Sequence, residues 1–177
     1  MSLVGFQARN HPQQVRTRRA RADVDDRAIS KDDFTRLDER FGFTLDVAAA
    51  AANARCSRFF DRHQDGIQQS WADEVVWCNP PYSDIESWVR KAWREHTRAR
   101  TIVMLLPANR TEQGWWQRLV EPHRDRPSSP LRVEFLPGRM RFIRSGSRSV
   151  GPNERPPFGC CLLIWSGEHC VDGGGGR

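Results

Sequence analysis

The sequence predicts an α/β fold, a Rossmann-like, mostly parallel sheet with helices on both faces and an antiparallel hairpin near the C-terminus. Three observations predict it. Val75-Val76-Trp77-Cys78 and Thr101-Ile102-Val103-Met104-Leu105-Leu106 are wholly apolar runs, as expected of parallel strands covered on both faces. Between them Ile85, Trp88, Val89, Ala92 and Trp93 recur at the spacing of one helix face, completing a strand-helix-strand unit. A last apolar run at 160–165 supplies a closing strand, and strands alternating with helices are the signature of such sheets.

Taken in order, residues 1–28 carry six arginines with few large apolar groups and read as a disordered basic arm. One domain is expected over 29–170, followed by a Gly-rich tail at 171–177. Within it a helix is predicted near 31–41 and a first strand near 43–46, ending at Asp46. The alanine run Ala48 to Ala52 is expected to be helical, alanine being the best helix former. Arg58-Phe59-Phe60 is a candidate strand ending at Asp61, and Gln64-Asp65-Gly66 is a turn signal. Ser83-Asp84-Ile85-Glu86 fits a capping box for a helix reaching about Thr97. Pro107 closes the 101–106 strand. Trp116, Leu119 and Val120 share a helix face and are assigned to the core; Trp115, at a different angle, reads either as a lid residue beside Arg110 or as core, and is assigned to the core as well. A hairpin is predicted over 131–143, with Val133 and Phe135 before a Pro137-Gly138 turn and Met140 and Phe142 after it. Ser145 to Pro157 is too long for a simple connector.

The strand at 75–78 runs into Asn79-Pro80-Pro81-Tyr82. Each proline fixes φ and removes an N–H, and Pro80 keeps Asn79 out of the helical region. The strand end therefore presents acceptors, the Asn79 side-chain oxygen and the Pro80 carbonyl, beside the Tyr82 ring. Open α/β sheets place ligands at this carboxyl edge. An exocyclic amine of a base is a poor nucleophile because its lone pair is delocalised. Two acceptors holding its hydrogens would localise that lone pair toward a methyl donor, by fixed dipoles and positioning. Tyr82 offers a face for a base swung out of its stack. Taken alone, the four residues equally describe a proline-terminated strand whose Asn caps a turn.

The net charge of +6 and pI near 9.6 suit a polyanionic partner. Of the 28 basic residues only Lys31 and Lys91 are lysines. Arg124, Arg126, Arg132, Arg139, Arg141, Arg144, Arg148 and Arg155 crowd into one segment, which reads either as a DNA-backbone contact or as a solvated hairpin surface. Cys56, Cys78, Cys160, Cys161 and Cys170 form no Cys-x-x-Cys pair, which suits a reducing, cytoplasmic setting. His169 beside Cys170 lacks the second pair of a zinc site, and no metal is expected. No secretory signal is read, and no apolar stretch approaches the ~18 residues that span a bilayer.

Beyond the tetrapeptide, the chain resembles the small phage-type DNA N6-adenine methyltransferases, a branch of the class I S-adenosylmethionine-dependent fold, over roughly residues 34 to 165. The pieces carrying the resemblance are Phe41-Gly42-Phe43-Thr44-Leu45-Asp46-Val47-Ala48-Ala49, Asp65-Gly66-Ile67, Val76-Trp77-Cys78-Asn79-Pro80-Pro81-Tyr82-Ser83, Leu105-Leu106-Pro107-Ala108-Asn109-Arg110-Thr111 with Trp115-Trp116, Phe135-Leu136-Pro137-Gly138-Arg139-Met140-Arg141-Phe142, and Pro157-Phe158. Where the family usually has Trp-x-Thr-Pro, this chain reads Ala28-Ile29-Ser30-Lys31, and an alanine-rich turn stands in for the glycine-rich cofactor loop of larger methyltransferases.

The resemblance implies methyl transfer from S-adenosylmethionine to adenine N6 in double-stranded DNA, with Asn79, Pro80, Pro81 and Tyr82 as catalytic residues. Asp46 would hold the amine or ribose hydroxyls of the cofactor, or else cap the helix after it. Ala48 would let the nucleoside approach the backbone. Asp65 would contact the cofactor's adenine or simply form its turn, with Asp61 an equal rival for ribose contact. Arg110, Thr111, Arg139 and Arg141 are substrate-binding candidates, as is Phe158, which is either a base-pocket wall or a packed strand start. A homodimer would supply recognition surface that one short chain lacks. Alternatives are methylation of cytosine N4, RNA or a protein amide, or a silent basic DNA-binding protein on the same scaffold.

Overall fold

The computed structural model describes residues 27–124, 126–138, 140, 142–144 and 158–166. The expected arm, the 145–157 loop, the glycine tail, Arg139, Arg141, Arg148, Arg155, His169 and Cys170 fall outside the described residues, apart from Arg27 and Ala28.

The described chain is mixed α/β. In order it forms β1 (Arg27–Ile29), α1 (Lys31–Phe41), β2 (Leu45–Asp46), β3 (Val75–Cys78), α2 (Ile85–Glu95), β4 (Thr101–Pro107), α3 (Gly114–Leu119), β5 (Leu131–Phe135), β6 (Phe142–Arg144) and β7 (Cys160–Ser166). The main sheet has the order β2-β3-β4-β7-β5. β2, β3 and β4 are parallel, β7 is antiparallel to β4, and β5 is antiparallel to β7, so only β7 runs against the rest. Alternate residues of β4 enter different apolar clusters. Ile102, Met104 and Leu106 pack with Trp88 and Val89 of α2 and Trp115 and Trp116 of α3, whereas Val103 and Leu105 join Phe34 and Leu37 of α1. That two-sided burial is why β4 has no polar alternation.

Helix α1 starts where its sequence says it should. The Ser30 hydroxyl accepts from the Asp33 amide at 3.1 Å, and Asp32 and Asp33 occupy the positive first turn. Gly42, in the left-handed region at φ 67°, ends it by donating its N–H to the Asp38 carbonyl at 2.7 Å.

Several expectations need correction. The first strand is shorter than 43–46, although the Thr44 amide still donates to Val75 O at 2.9 Å. The alanine run is no helix, only a turn near 51–53. Five residues are too few to offset helix nucleation, and the Asp46 carboxylate and Asn53 Oδ1 take amides that a helix would use, accepting from Ala48, Arg55 and Ala50. Asp46 therefore caps no helix. At α2 the N-cap is Asp84, without a side-chain cap bond, and Glu86 pairs with Arg90 and Arg118 in place of the predicted box. The helix ends at Glu95, two residues short of Thr97.

The hairpin over 131–143 does not form. β5 pairs with β7, from Leu131↔Trp165 to Phe135↔Cys161, while β6 pairs with β1 in a separate ribbon, Ile29↔Phe142 to Arg27↔Arg144. β7 is apolar and buried from Cys160 to Trp165, so it takes an inner place with a neighbour on each side. The half-exposed β5 is left at the sheet edge.

Candidate active site

Strand β3 is buried along its whole length and delivers Asn79 to the carboxyl edge of the sheet. There the chain borders a cavity of ≈ 700 Å³, within the roughly 300–1,000 Å³ usual for small-molecule sites. Asn79 and Pro81 line it. Its other walls are the turn from Asp46 through the alanines, and the 60–67 loop, which includes Asp61 and Asp65. Asp46, Ala48, Asp61 and Asp65, separated by up to nineteen residues in sequence, are thus brought together around one space.

Each wall has its own local cause. The Val47 amide donates to Trp77 O at 3.0 Å, continuing the β2-β3 pairing to the cavity mouth. The Asp46 and Phe59 backbones form a parallel bridge, so the Arg58-Phe59-Phe60 segment does pair with β2. Asp61 accepts from the His63 and Gln64 amides at 2.9 and 3.0 Å. Asp65 sits at φ 51° and accepts from the Ile67 amide at 3.2 Å. Gly66 is required by close approach: a Cβ there would lie 2.0 Å from the Val47 carbonyl oxygen.

Asp46 is 3% exposed. Burial pushes its carboxyl up to about 6, against the lowering pull of hydrogen bonds from the Arg55 and Ala48 amides and of the Arg55 charge. Arg55 also lines the cavity, and its guanidinium donates to the Ile29 carbonyl. Burial lowers the Arg55 pKa, partly offset by Asp46. The wall thus carries opposite charges side by side. Cys78 beneath it is fully buried and its thiol is pushed well up, by burial and then by Asp46, which leaves it a packing group. Cys56, Cys160 and Cys161 are likewise free, with thiols raised to about 12 by burial.

Tyr82 belongs to the other flank. It is absent from the cavity lining and packs edge-on against Phe142 (centroids 6.4 Å, 80°) and Phe158 (6.4 Å, 60°). Phe158 arrives there because Pro107 pairs with Cys160 and the Ala108 amide donates to Gly159 O at 2.9 Å. The same register carries Arg110 and Thr111, on the turn after β4, to this edge. Thr111 is exposed, and Arg110 is partly buried, its Nε shielded without a hydrogen-bond partner among the described residues. Neither lines the cavity. Trp115 and Trp116 are core, 6% and 0% exposed.

Sequence reasoning missed Arg55, Trp88, Asn53 and Ile29 as cavity residues. The local signals in that region were Asp46, Asp61 and the Asp65-Gly66 turn, whose aspartate reads either as a cofactor contact or as a turn former, and none of them points to Arg55, Asn53 or Ile29. No group of three or more His, Cys, Asp or Glu among the described residues could hold a metal, and no described helix is long and apolar enough to cross a membrane.

The strand end thus has a cavity of small-molecule size on one flank and the Tyr82, Phe142 and Phe158 rings on the other. The family model described as DNA N-6-adenine-methyltransferase (Dam) matches residues 17–167, and the chain belongs to that family. A protein of Escherichia phage T1, named DNA N-6-adenine-methyltransferase, is 36% identical over 75 residues. That alignment covers 41% of this chain and 32% of the phage protein, so the chain matches about a third of the length of this curated relative. Membership in a methyltransferase family implies a methyl donor.

Proposed function

We propose that this protein methylates adenine N6 in double-stranded DNA, using S-adenosylmethionine held in the cavity and a class I fold with helices on both faces of the sheet. The observation that carries the reading is the two-sided strand end. Asn79 and Pro81 face the cavity, while the Tyr82 ring lies with Phe142 and Phe158 outside it.

The residues present fit the cofactor. Its methionine end is a zwitterion, and the buried Asp46 carboxylate and neighbouring Arg55 guanidinium offer it opposite charges. Asp61 and Asp65 offer acceptors to ribose hydroxyls or the purine amine. The alanine side chains and Gly66 leave room for the nucleoside against the backbone. When bound, S-adenosylmethionine supplies an electrophilic methyl group.

The chain's own residues prepare the nucleophile. Asn79 Oδ1 and the Pro80 carbonyl accept the two amine hydrogens, which turns the nitrogen lone pair toward the cavity. Fixed acceptors need no reorganisation at the moment of transfer. Tyr82 stacks on the extruded adenine, with Phe158 as a second wall. Arg110 and Thr111 reach the nucleotide from the turn after β4, and Arg139 and Arg141 contact the phosphates. The amine proton leaves once the nitrogen has been alkylated, so no strong base is required. Free thiols suit a cytoplasmic setting.

The test is modification-sensitive sequencing of DNA from cells expressing the protein. N6-methyladenine is expected with the unmodified chain and none with Asn79→Ala. Unmodified adenine in DNA from cells whose protein folds and binds S-adenosylhomocysteine would contradict the reading.

A further inference from the structure

The residue that shapes the cavity from behind is Trp71, which touches none of it. Trp71 is wholly buried, and its indole N–H donates to the Gly66 carbonyl at 2.9 Å. Gly66 is pressed against the Val47 carbonyl and has the Trp88 ring edge within 3.3 Å of where a Cβ would sit. Gly66, Ile67 and Trp88 all line the cavity. One indole proton therefore tethers the wall at its most crowded point.

Trp71 is itself held. Its amide donates to Glu95 Oε2 at 3.0 Å, and the other Glu95 oxygen accepts from Lys91 Nζ at 2.9 Å. Both charged side chains are under 9% exposed. Lys91 also lies 5.5 Å from the centre of the Trp71 ring, and Trp88 stacks on that ring at 6.4 Å and 21°. Burial raises the Glu95 carboxyl, but bonds from Lys91 and the Trp71 amide, with the Lys91 and Arg98 charges, overcome this and hold it below its usual value. A buried ion pair is a poor way to gain stability and a good way to fix a geometry. Here it fixes the position of one tryptophan.

We infer that Trp71 is a positioning residue for the cofactor site, its indole N–H setting the Asp65 to Ile67 wall through the Gly66 carbonyl, with the Lys91–Glu95 pair as its anchor. The inference rests on the cavity being the S-adenosylmethionine site. Trp71→Phe removes the donor and keeps most of the ring volume. Trp165→Phe is the matched control, because Trp165 is equally buried in β7 but its indole nitrogen has no partner among the described residues.

Calorimetric titration with S-adenosylhomocysteine should show Trp71→Phe binding roughly three- to tenfold more weakly and Trp165→Phe within twofold of the unmodified chain, whatever either does to Tm. In turnover, KM for the cofactor should rise while kcat stays within about twofold. Equal affinities in the two variants would overturn the inference and leave the cofactor reading intact. Failure of the unmodified chain to bind would overturn both. Should Trp71→Phe not fold, hydrogen exchange in the unmodified chain takes its place. The Trp71 indole proton should gain protection on saturation with S-adenosylhomocysteine and that of Trp165 should not; equal responses would overturn the inference.

Discussion

The two flanks of the Asn79 to Tyr82 strand end are built by opposite means. On the cavity flank, charged side chains, of which Asp46 is buried, and backbone hydrogen bonds dominate. Asp46 accepts two amides, Asp61 two more, and Gly66 is locked between Val47 and the Trp71 indole. On the other flank Tyr82, Phe142 and Phe158 meet through ring edges. The difference matches the two molecules proposed to meet there. A charged, flexible cofactor is best recognised by fixed charges and amides, and a flat neutral base by rings that accept any π-face. If the division is real, a substitution on one flank should weaken one ligand and spare the other.

The largest effect is expected at the point the flanks share. Asn79→Ala should lower kcat by about 10²–10³ or more with cofactor affinity and Tm nearly unchanged; a parallel loss of cofactor binding would place Asn79 on one flank only. Next comes Asp46→Asn. Loss of a charge-assisted bond worth about 1.5–3 kcal/mol should weaken S-adenosylhomocysteine by roughly ten- to a hundredfold in calorimetry, with DNA affinity unaltered. Tyr82→Ala should do the converse, raising KM for DNA by about five- to a hundredfold, since base stacking is worth ~1–3 kcal/mol, while Tyr82→Phe retains most of the activity.

Acidity sharpens the same division. Burial pushes the Asp46 carboxyl up to about 6, and in the role proposed for it the group is ionised when it receives an ammonium. Cofactor affinity should therefore be level only well above that value, bend through it and fall by up to about tenfold per unit below it, a fall that Asp46→Asn removes. For stability the sign is reversed: the raised pKa favours the folded state below the carboxyl's ordinary range, and this contribution is lost as pH rises through about 6. The mildest effect is expected from neutralising Arg139, Arg141, Arg144 and Arg148 together. The slope of log affinity for DNA against log salt should shrink by up to about 0.9 for each phosphate that no longer meets a guanidinium, with S-adenosylhomocysteine binding unchanged. An unchanged slope would remove that segment from the DNA surface.

How far all this could be read from the sequence depended on whether the cause was local. β3, α2 and β4 were legible because two-sided burial makes a strand uniformly apolar and one-sided burial gives a helix its stripe. The α1 caps are local too. The hairpin was misread because Val133 and Phe135 show alternation without showing a partner, and the partner, β7, lies some thirty residues away in sequence. The alanine helix failed for a residue outside the run, Asp46, whose carboxylate intercepts the amides. At the site, Asn79 and Asp46 stood out because they end strands. Arg55 and Trp71 did not, since their meaning lies in contacts with Ile29 and Glu95, 26 and 24 residues distant.

A crystal structure of the protein with S-adenosylhomocysteine and an adenine-containing duplex decides whether the strand tip joins a cofactor flank to a base flank. The adenine N6 is expected about 3 Å from both Asn79 Oδ1 and the Pro80 carbonyl, its ring on Tyr82, and the cofactor sulfur on the Asn79 side of the cavity. A cofactor bound elsewhere, or an adenine left stacked in the duplex with Tyr82 still closed on Phe142 and Phe158, would contradict that arrangement.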